Sequence, residues 1–241
     1  MHILLLLNGS RERYAGGADQ ARRHAWAPYC AAGTRLEIGY LPGEAESGGL
    51  SRAYAFGAGN AMTLAPLYPD RCVQAERDGF DAVVIHCCSD PGLAEARTRV
   101  RIPIVGPGET MLQAAALIGR RIGMTVPSTE SMEPHQAQVR SVGLASSFVG
   151  IEPINRPVCA YAAQDPRAMT DAVVAAAQRL VERGADVICP SGLAYVPVRV
   201  KAREVADRVG VPVLDPALLA VRTAEMLVEA LRGSHAPTAA T

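Results

Sequence analysis

The chain has 241 residues, and 49% of them are hydrophobic, which is enough to bury a sizeable core in one large domain or two of ordinary size. Its 24 Lys and Arg residues equal its 24 Asp and Glu residues, so the charge balance argues against a protein that binds nucleic acid or an anionic membrane surface. The cysteines are not at metal-ligand spacing and include no CxxC pair, and no apolar run approaches the length of a bilayer span. We therefore expect free thiols, no metal site and a cytoplasmic location.

Short apolar runs alternate with helical patterns along the chain. The predicted strands are Ile3 to Leu7, Leu36 to Tyr40, Ala82 to His86, Ile102 to Val105, Arg121 to Thr125, Ser147 to Ile151, Val187 to Cys189 and Val211 to Leu214. The predicted helices are Asp70 to Asp78, Gly108 to Ile118, Met132 to Gly143, Pro166 to Arg183, Pro197 to Val209 and Pro216 to Leu231. This alternation predicts an α/β fold with parallel sheets covered by helices.

Three segments need separate interpretation. The opening apolar run is only five residues long and lacks a basic lead, so it indicates the first strand and not a secretion signal. The segment from Pro42 to Pro69 is punctuated by glycine and proline, which predicts a loop with one helix that could serve as a lid, and its part from Gly48 to Asn60 should shape substrate choice. Residues 234–241 are small and polar, as is typical of a frayed tail.

Two similar strand-end motifs indicate an internal duplication. We align Val84-Ile85-His86-Cys87 with Val187-Ile188-Cys189-Pro190, and Ile102-Pro103-Ile104-Val105 with Val211-Pro212-Val213-Leu214. The prediction is two pseudo-symmetric lobes, each a mostly parallel sheet flanked by helices, with the active site in the cleft between them. Residues 1–106, completed by the C-terminal helix 216–233, would form the first lobe, and residues 107–215 the second.

Cys87 is the first candidate for chemistry because it ends a buried strand, and ligands of α/β folds collect beyond the carboxyl ends of strands. The following turn, Ser89 to Gly92, opens a helix whose free N–H groups favour a thiolate or a bound anion. Cys88 should point to the opposite face of the strand. We expect His86 to be a packed strand residue and His135 to lie on a helix surface.

These motifs resemble the hydantoin racemase branch of the aspartate/glutamate racemase superfamily. The resemblance runs in order through Ile85-His86-Cys87-Cys88-Ser89-Asp90-Pro91-Gly92-Leu93, Ile102 to Glu109, Gly184 to Ile188 and Gly210 to Pro216. It implies two α/β lobes, no metal or organic cofactor, and self-association into a homo-oligomer. It also implies a cysteine from each lobe on opposite sides of the substrate carbon, one removing the α-proton and the other supplying one.

The resemblance assigns Cys87 to the first of these positions and leaves the second open. Where the family reads apolar-Gly-Cys-Ala-Gly-Met, this chain reads Ile188-Cys189-Pro190-Ser191-Gly192-Leu193, and with the motif glycines in register the expected cysteine position holds Pro190. Cys189 is one residue early, which would turn its sulfur away from the cleft unless Pro190 re-aims the turn. Cys189 remains the candidate for the second catalytic residue.

Proton removal beside a carbonyl also needs donors that hold the negative charge developing on oxygen. The candidates for binding the substrate are polar or small residues at strand ends and helix starts. They are Asn8, Ser89, Asp90, Glu109, Thr125, Ser128, Thr129, Ser191 and Gly192. For Asp90, capping its own helix and contacting substrate are equally open.

The sequence thus predicts a cofactor-independent racemase or epimerase that acts on a small hydantoin-like or amino-acid-like substrate with a carboxylate or imide group. Three alternatives stay open: a single-cysteine decarboxylase or lyase, a cis-trans isomerase of the maleate type, and an inactive binding homologue.

Overall fold

The computed structural model describes residues 1–14, 16–43, 61–155 and 165–234. The segment from Gly48 to Asn60, Cys159 and residues 235–241 lie outside the described residues, and so do the expectations that concern them.

The first lobe is built on a parallel sheet of four strands, β1 (His2–Leu7), β2 (Arg35–Tyr40), β3 (Ala82–His86) and β4 (Ile104–Val105), in the order β2-β1-β3-β4. The central strands β1 and β3 read as continuous apolar runs because both of their faces are covered. This lobe contains the helices α1 (Ala18–Trp26), α2 (Tyr68–Arg77) and α3 (Leu93–Arg99). The sequence patterns predicted α2 and a helix after the Ser89 to Gly92 turn, but they did not predict α1.

The second lobe repeats this design. After α4 (Pro107–Ile118), the strands β5 (Ile122–Val126), β6 (Phe148–Pro153) and β7 (Val187–Pro190) form a parallel sheet in the order β6-β5-β7, and Val213 extends it through a parallel bridge to Ile188. Its helices are α5 (Met132–Ser141), α6 (Pro166–Glu182) and α7 (Ala202–Val209). The predicted α/β fold with two pseudo-symmetric lobes is confirmed.

Two helices cross between the lobes. α4 follows the last strand of the first sheet, yet its Met111 and Leu112 pack with Val187 of the second sheet. The last helix, α8 (Pro216–Ser234), follows the second sheet but packs Ala220 and Val221 onto the first. No helix within the described residues is long and apolar enough to cross a membrane.

Matching hydrogen bonds fix how the two lobes correspond. The backbone N–H of Asp81 donates to the carbonyl of His2, as that of Asp186 does to Arg121, at 2.7 and 2.9 Å. The N–H of Val83 donates to Pro103, as that of Ile188 does to Pro212. The predicted match of the two apolar-Pro-apolar strands is therefore confirmed.

The predicted alignment of the two cysteine motifs is wrong by two residues. Because Val83 corresponds to Ile188, Cys87, which lies four residues beyond Val83, corresponds to Gly192 and not to Pro190. The sequence alignment matched apolar residues, and the two strands can be matched in that way at several offsets. The hydrogen bonds fix the offset, because they make Asp81 and Asp186, which precede the two strands, equivalent.

Candidate active site

Cys87 lies just beyond the carboxyl end of β3, where Leu7 of β1 pairs with His86. Its side chain is half-buried and contacts the hydrophobic cluster under α2 and α3, whereas Cys72, Cys88 and Cys189 are buried. Among the described cysteines, Cys87 therefore combines partial solvent access with a position at the end of a central strand.

Two opposing influences set the acidity of Cys87. Burial raises the pKa of its thiol, and the nearby carboxylate of Asp90 adds to that rise. The hydroxyl of Ser89, with its oxygen 3.1 Å from the Cys87 sulfur, lowers the pKa because it can donate to a thiolate. Ser89 is thus positioned to stabilise the ionised form of the thiol.

The carboxylate of Asp90 caps a helix other than the one that follows it. Its two oxygens accept hydrogen bonds from the backbone N–H groups of Gly108 and Glu109, at 3.0 and 2.6 Å, in the first turn of α4. The amide of Gln138 on α5 donates a third bond of 2.7 Å. Burial raises the pKa of Asp90 to about 7 even so. Asp90, with a positive φ of 50°, joins the Cys87 turn to both lobes.

Two glycines allow this turn to lie so close to α4. A Cβ on Gly106 would come within 2.5 Å of the Asp90 carboxyl carbon, and one on Gly108 would overlap the carbonyl oxygen of Cys88 and the amide nitrogen of Gln138. Glycine is therefore required at both positions, because the start of α4 lies too close to the Cys88–Asp90 turn to leave room for a Cβ atom.

Asn8 follows β1 and lies in the same neighbourhood. Its side-chain oxygen accepts a 2.8 Å hydrogen bond from the hydroxyl of the buried Tyr14. Burial raises the pKa of Tyr14, the charges of Arg22 and Arg13 oppose that rise, and a negative charge on Cys87 would add to it. Asn8 and Tyr14 thus add polar groups beside Cys87.

The equivalent turn of the second lobe contains a buried hydrogen-bonded pair. The hydroxyl of Ser191 bonds to Nε2 of His135, whose Nδ1 lies 2.7 Å from the carbonyl oxygen of Ser131. His135 is only 4% exposed, so the prediction that it lies on a helix surface is wrong. α5 turns this residue toward the sheet, together with Val139, and not toward solvent.

The two turns meet at Cys88. Burial raises the pKa of the Cys88 thiol well above its ordinary value, and hydrogen bonding from the Ser191 hydroxyl and the Gly192 N–H opposes that rise. Cys88 packs in the same cluster as Leu193, so the residues that follow Cys87 and Gly192 join the two lobes.

Gly192, the counterpart of Cys87, has no room for a side chain. A Cβ there would overlap Cε1 and Cζ of the Tyr195 ring and lie 2.6 Å from its hydroxyl oxygen. Tyr195 is fully buried, and its hydroxyl donates to the carbonyl oxygen of Ser191 at 3.3 Å. The phenol ring therefore occupies the side-chain space of residue 192.

Cys189 lies in the core of the second lobe. It pairs with Met124 of β5, is fully buried, and packs beneath Met111 and Leu112 of α4. Burial strongly raises the pKa of its thiol. The structure does not bring Cys189 together with Cys87, and its equivalent in the first lobe is the core residue Val84.

The remaining candidates are dispersed. Glu109 forms a 2.7 Å ion pair with Arg97, and Thr129 is exposed. Ser128 lies in the turn after β5 with its hydroxyl 3.3 Å from that of Ser131. Thr125 is fully buried opposite Pro190, and its hydroxyl has no hydrogen-bond partner within the described part of the chain.

Four residues near the two turns were missed at the sequence level: Tyr14, Gln138, Tyr195 and, as a buried residue, His135. A bulky aromatic three residues after Gly192 is a signal that could have identified Tyr195, but nothing in the local sequence marks Gln138 as a partner of Asp90. Among the described residues, no three His, Cys, Asp or Glu side chains are grouped so that they could hold a metal ion.

Known proteins with similar structures share this fold. An allantoin racemase from Klebsiella pneumoniae matches with a TM-score of 0.78 at 19% identity, over 95% of this chain and 88% of the other. Arylmalonate decarboxylase matches with a TM-score of 0.60 at 16% identity, over 95% of this chain and 92% of the other. At these identities the likeness establishes the two-lobed fold.

Sequence comparisons establish the family. The hydantoin racemase of Paenarthrobacter aurescens is 30% identical over 156 residues, which are 64% of this chain and 65% of that protein. The hydantoin racemase of Rhizobium meliloti is 29% identical over 174 residues, 72% of this chain and 70% of that one. The matches thus span about two thirds of these relatives' lengths. The family model described as Asp/Glu/Hydantoin racemase matches residues 62–224, well over half of the chain, with Cys87 and Gly192 inside the match. The chain therefore belongs to the Asp/Glu/hydantoin racemase family.

Proposed function

We propose that this chain is a cofactor-independent isomerase of small carbon acids, in which the Cys87 thiol exchanges a proton with a carbon next to a carbonyl. The observation that carries the proposal is the half-buried Cys87 at the end of β3 with the Ser89 hydroxyl 3.1 Å from its sulfur. Membership in a family named for racemases supports chemistry at such a carbon.

The substrate we propose is a hydantoin or an amino-acid-like molecule with a carboxylate or imide group, bound between the Cys87 turn and the Gly192 turn. The names of the relatives support the ring class. The Ser89 hydroxyl, 3.1 Å from the sulfur, and Asn8, which follows β1 beside the end of β3, would hold the oxygen on which negative charge develops.

In the proposed step, the Cys87 thiolate takes the acidic proton from carbon, and the electron pair moves onto the adjacent carbonyl oxygen as an enolate. Solvent water then protonates the opposite face of the enolate, and the hydroxide that forms takes the proton from the Cys87 thiol, which restores the thiolate and leaves the carbon inverted. Because burial raises the pKa of Cys87, the thiolate fraction and the rate should grow as the pH rises toward that pKa.

A second candidate function is single-thiol chemistry of the same fold, either decarboxylation with protonation from one side or cis-trans isomerisation through addition of the thiol to a double bond. The observation that favours it is Pro190, which occupies the position where the resemblance places the second cysteine, since a racemase of the two-thiol type needs an acid on each face of the carbon.

The test follows solvent deuterium into recovered hydantoins, amino acids and substituted malonates, and also measures release of carbon dioxide. The matched variants are Cys87→Ser and Cys30→Ser, because Cys30 is also partly exposed but lies in the first-lobe cluster that also contains Trp26 and Ala220. We expect Cys30→Ser to match the parent and Cys87→Ser to lose exchange by about 100-fold or more. Undiminished exchange in Cys87→Ser would overturn the proposal, and carbon dioxide release without exchange would favour the second candidate.

A further inference from the structure

Asn8 lies beside Cys87 because the two central strands of the first sheet are in register. Leu7 of β1 pairs with His86 of β3 in a parallel ladder, so the next residue of each strand, Asn8 or Cys87, leaves the sheet at the same point. Paired residues of neighbouring strands share a face of the sheet, and both of these side chains are half-buried. An amide and a thiol therefore lie side by side at the carboxyl edge of the sheet.

The hydroxyl of Tyr14 fixes the direction in which the Asn8 amide faces. It donates to Oδ1 of Asn8 at 2.8 Å. The amide oxygen is thus turned toward Tyr14, and the amide nitrogen, which carries two N–H donors, is turned away from it. The terminal torsion of an asparagine side chain is broad, so an amide without such a partner would present either its oxygen or its nitrogen to a neighbour. The Tyr14 bond therefore selects the nitrogen.

Tyr14 is itself held in place and keeps its proton. Its ring packs in the same buried cluster as Leu7, and the guanidinium carbon of Arg22 lies 5.2 Å from the centre of the ring. Its backbone carbonyl accepts the N–H of Gly17 at 3.0 Å. Burial raises the pKa of Tyr14, so the phenol stays protonated at neutral pH and remains a hydrogen-bond donor to Asn8.

We propose that Tyr14 is a positioning residue that directs the N–H donors of Asn8 at the carbonyl oxygen of the substrate. This inference rests on the proposed function, in which Cys87 removes the C–H proton. As the thiolate takes that proton, the electron pair moves onto the carbonyl oxygen, and the hydrogen bond from Asn8 strengthens as the negative charge grows. The phenol keeps its own proton throughout, so Tyr14 acts through Asn8. The substrate carbonyl then lies on the β1 side of the Cys87 sulfur.

The first experiment compares Tyr14→Phe with Tyr40→Phe in deuterium exchange at C5 of a 5-substituted hydantoin, measured over a range of substrate concentrations. Tyr40→Phe is the matched control, because its ring centre lies 6.0 Å from that of Tyr14 and its hydroxyl donates to Asp19. We expect Tyr14→Phe to lower kcat about 10-fold, which corresponds to one ordinary hydrogen bond. KM should stay near the parent value, because the oxygen gains its charge only after the substrate has bound.

Tyr40→Phe should keep the kcat of the parent. A Tyr14→Phe variant with the parent's kcat, or with a change in KM alone, would overturn the inference. An equal fall in kcat in both variants would assign the effect to the packing of the two rings and would also overturn it.

A double-mutant cycle determines whether Tyr14 acts through Asn8. Asn8→Ala removes the N–H donors and should lower kcat about 100-fold, the typical effect of losing one donor to a developing oxyanion. In the Asn8→Ala background, Tyr14→Phe should have no further effect, because the phenol has no amide left to orient. Losses that multiply in the double variant would overturn the inference. Thermal unfolding of each variant confirms that it is folded.

The parent protein and Cys87→Ser are measured beside these variants. Absence of deuterium from the substrates of the parent, or undiminished exchange in Cys87→Ser, would overturn the proposed function and this inference with it. Exchange that requires Cys87 but is unchanged in Tyr14→Phe would overturn this inference and leave the proposed function standing.

Discussion

Nε2 of Gln138 donates a 2.7 Å hydrogen bond to Oδ2 of Asp90, and this bond joins α5 of the second lobe to the turn that follows Cys87. His135, one turn earlier on α5, bonds to Ser191 in the counterpart turn. A single helix therefore holds both strand-end turns, which fixes the position of the Cys87 turn relative to the Gly192 turn.

Asp90→Asn should change how stability depends on pH. Burial raises the pKa of Asp90 from 3.8 to about 7, so the folded state holds this proton more tightly than the unfolded state does. Its contribution to the free energy of unfolding is complete below the unfolded pKa and is lost as the pH rises to about 7, by about 4 kcal/mol at most. Urea unfolding of the parent at a series of pH values measures this loss.

The variant Asp90→Asn should lack that pH-dependent loss. Asp207→Asn on α7, whose side chain is 71% exposed, is the matched control and should follow the parent. An Asp90→Asn variant with the parent's pH dependence would contradict the account of Asp90.

Ser89→Ala should make the Cys87 thiol less acidic. The hydroxyl of Ser89 lowers the pKa of Cys87 through its 3.1 Å contact, so its removal leaves burial and the Asp90 charge to raise that pKa further. The rate of Cys87 alkylation by iodoacetamide, followed against pH, should shift to higher pH in Ser89→Ala. Ser89→Thr, which keeps a hydroxyl, should stay close to the parent, and identical profiles for all three proteins would refute the role of Ser89.

Gly108→Ala should destabilise the fold by about 1–3 kcal/mol, because the added Cβ overlaps the Cys88 carbonyl and the Gln138 amide. Chemical denaturation measures the effect. Gly233→Ala is the control, since nothing lies within 4 Å of a Cβ at that position of α8. Equal stability of the two variants would mean that the Cys87 turn can move away from α4 at little cost.

Ser191→Ala should lower the free energy of unfolding by about 1–3 kcal/mol, because it leaves the buried Nε2 of His135 without its hydrogen-bond partner. Ser141→Ala, which removes an exposed hydroxyl bonded to the Gln138 carbonyl on the same helix, is the comparison and should cost less. A neutral Ser191→Ala would show that His135 finds another partner.

The strands and the lobe repeat could be predicted because they depend on local patterns. Apolar runs such as Ile3 to Leu7 and Val187 to Cys189 identify central strands that are covered on both faces. α1 was missed because most of its nine residues are polar and its buried contact is the single Trp26, which leaves little apolar periodicity to detect.

The counterpart of Cys87 could not be predicted from apolar letters. Asp81 and Asp186 each accept a hydrogen bond from a backbone N–H at the start of the neighbouring strand. Cys87 and Gly192 lie at the same distance in sequence after these two aspartates, so they correspond. The equivalence of the aspartates is visible only once the strands are paired. The contacts of Asp90 with Gln138 and of Ser191 with His135 join residues distant in sequence, so they depend on the packing of α5 and leave no local signal.

The most direct test of the central claim labels the Cys87 thiol while proton exchange is measured. In a Cys30→Ser/Cys159→Ser background, iodoacetamide is added in steps, the fraction of Cys87 alkylated is read by peptide mass spectrometry, and deuterium incorporation into the best hydantoin substrate is followed at each step. We predict that exchange falls in proportion to the alkylated fraction of Cys87 and that substrate slows the alkylation. Full alkylation of Cys87 with exchange undiminished would contradict the account.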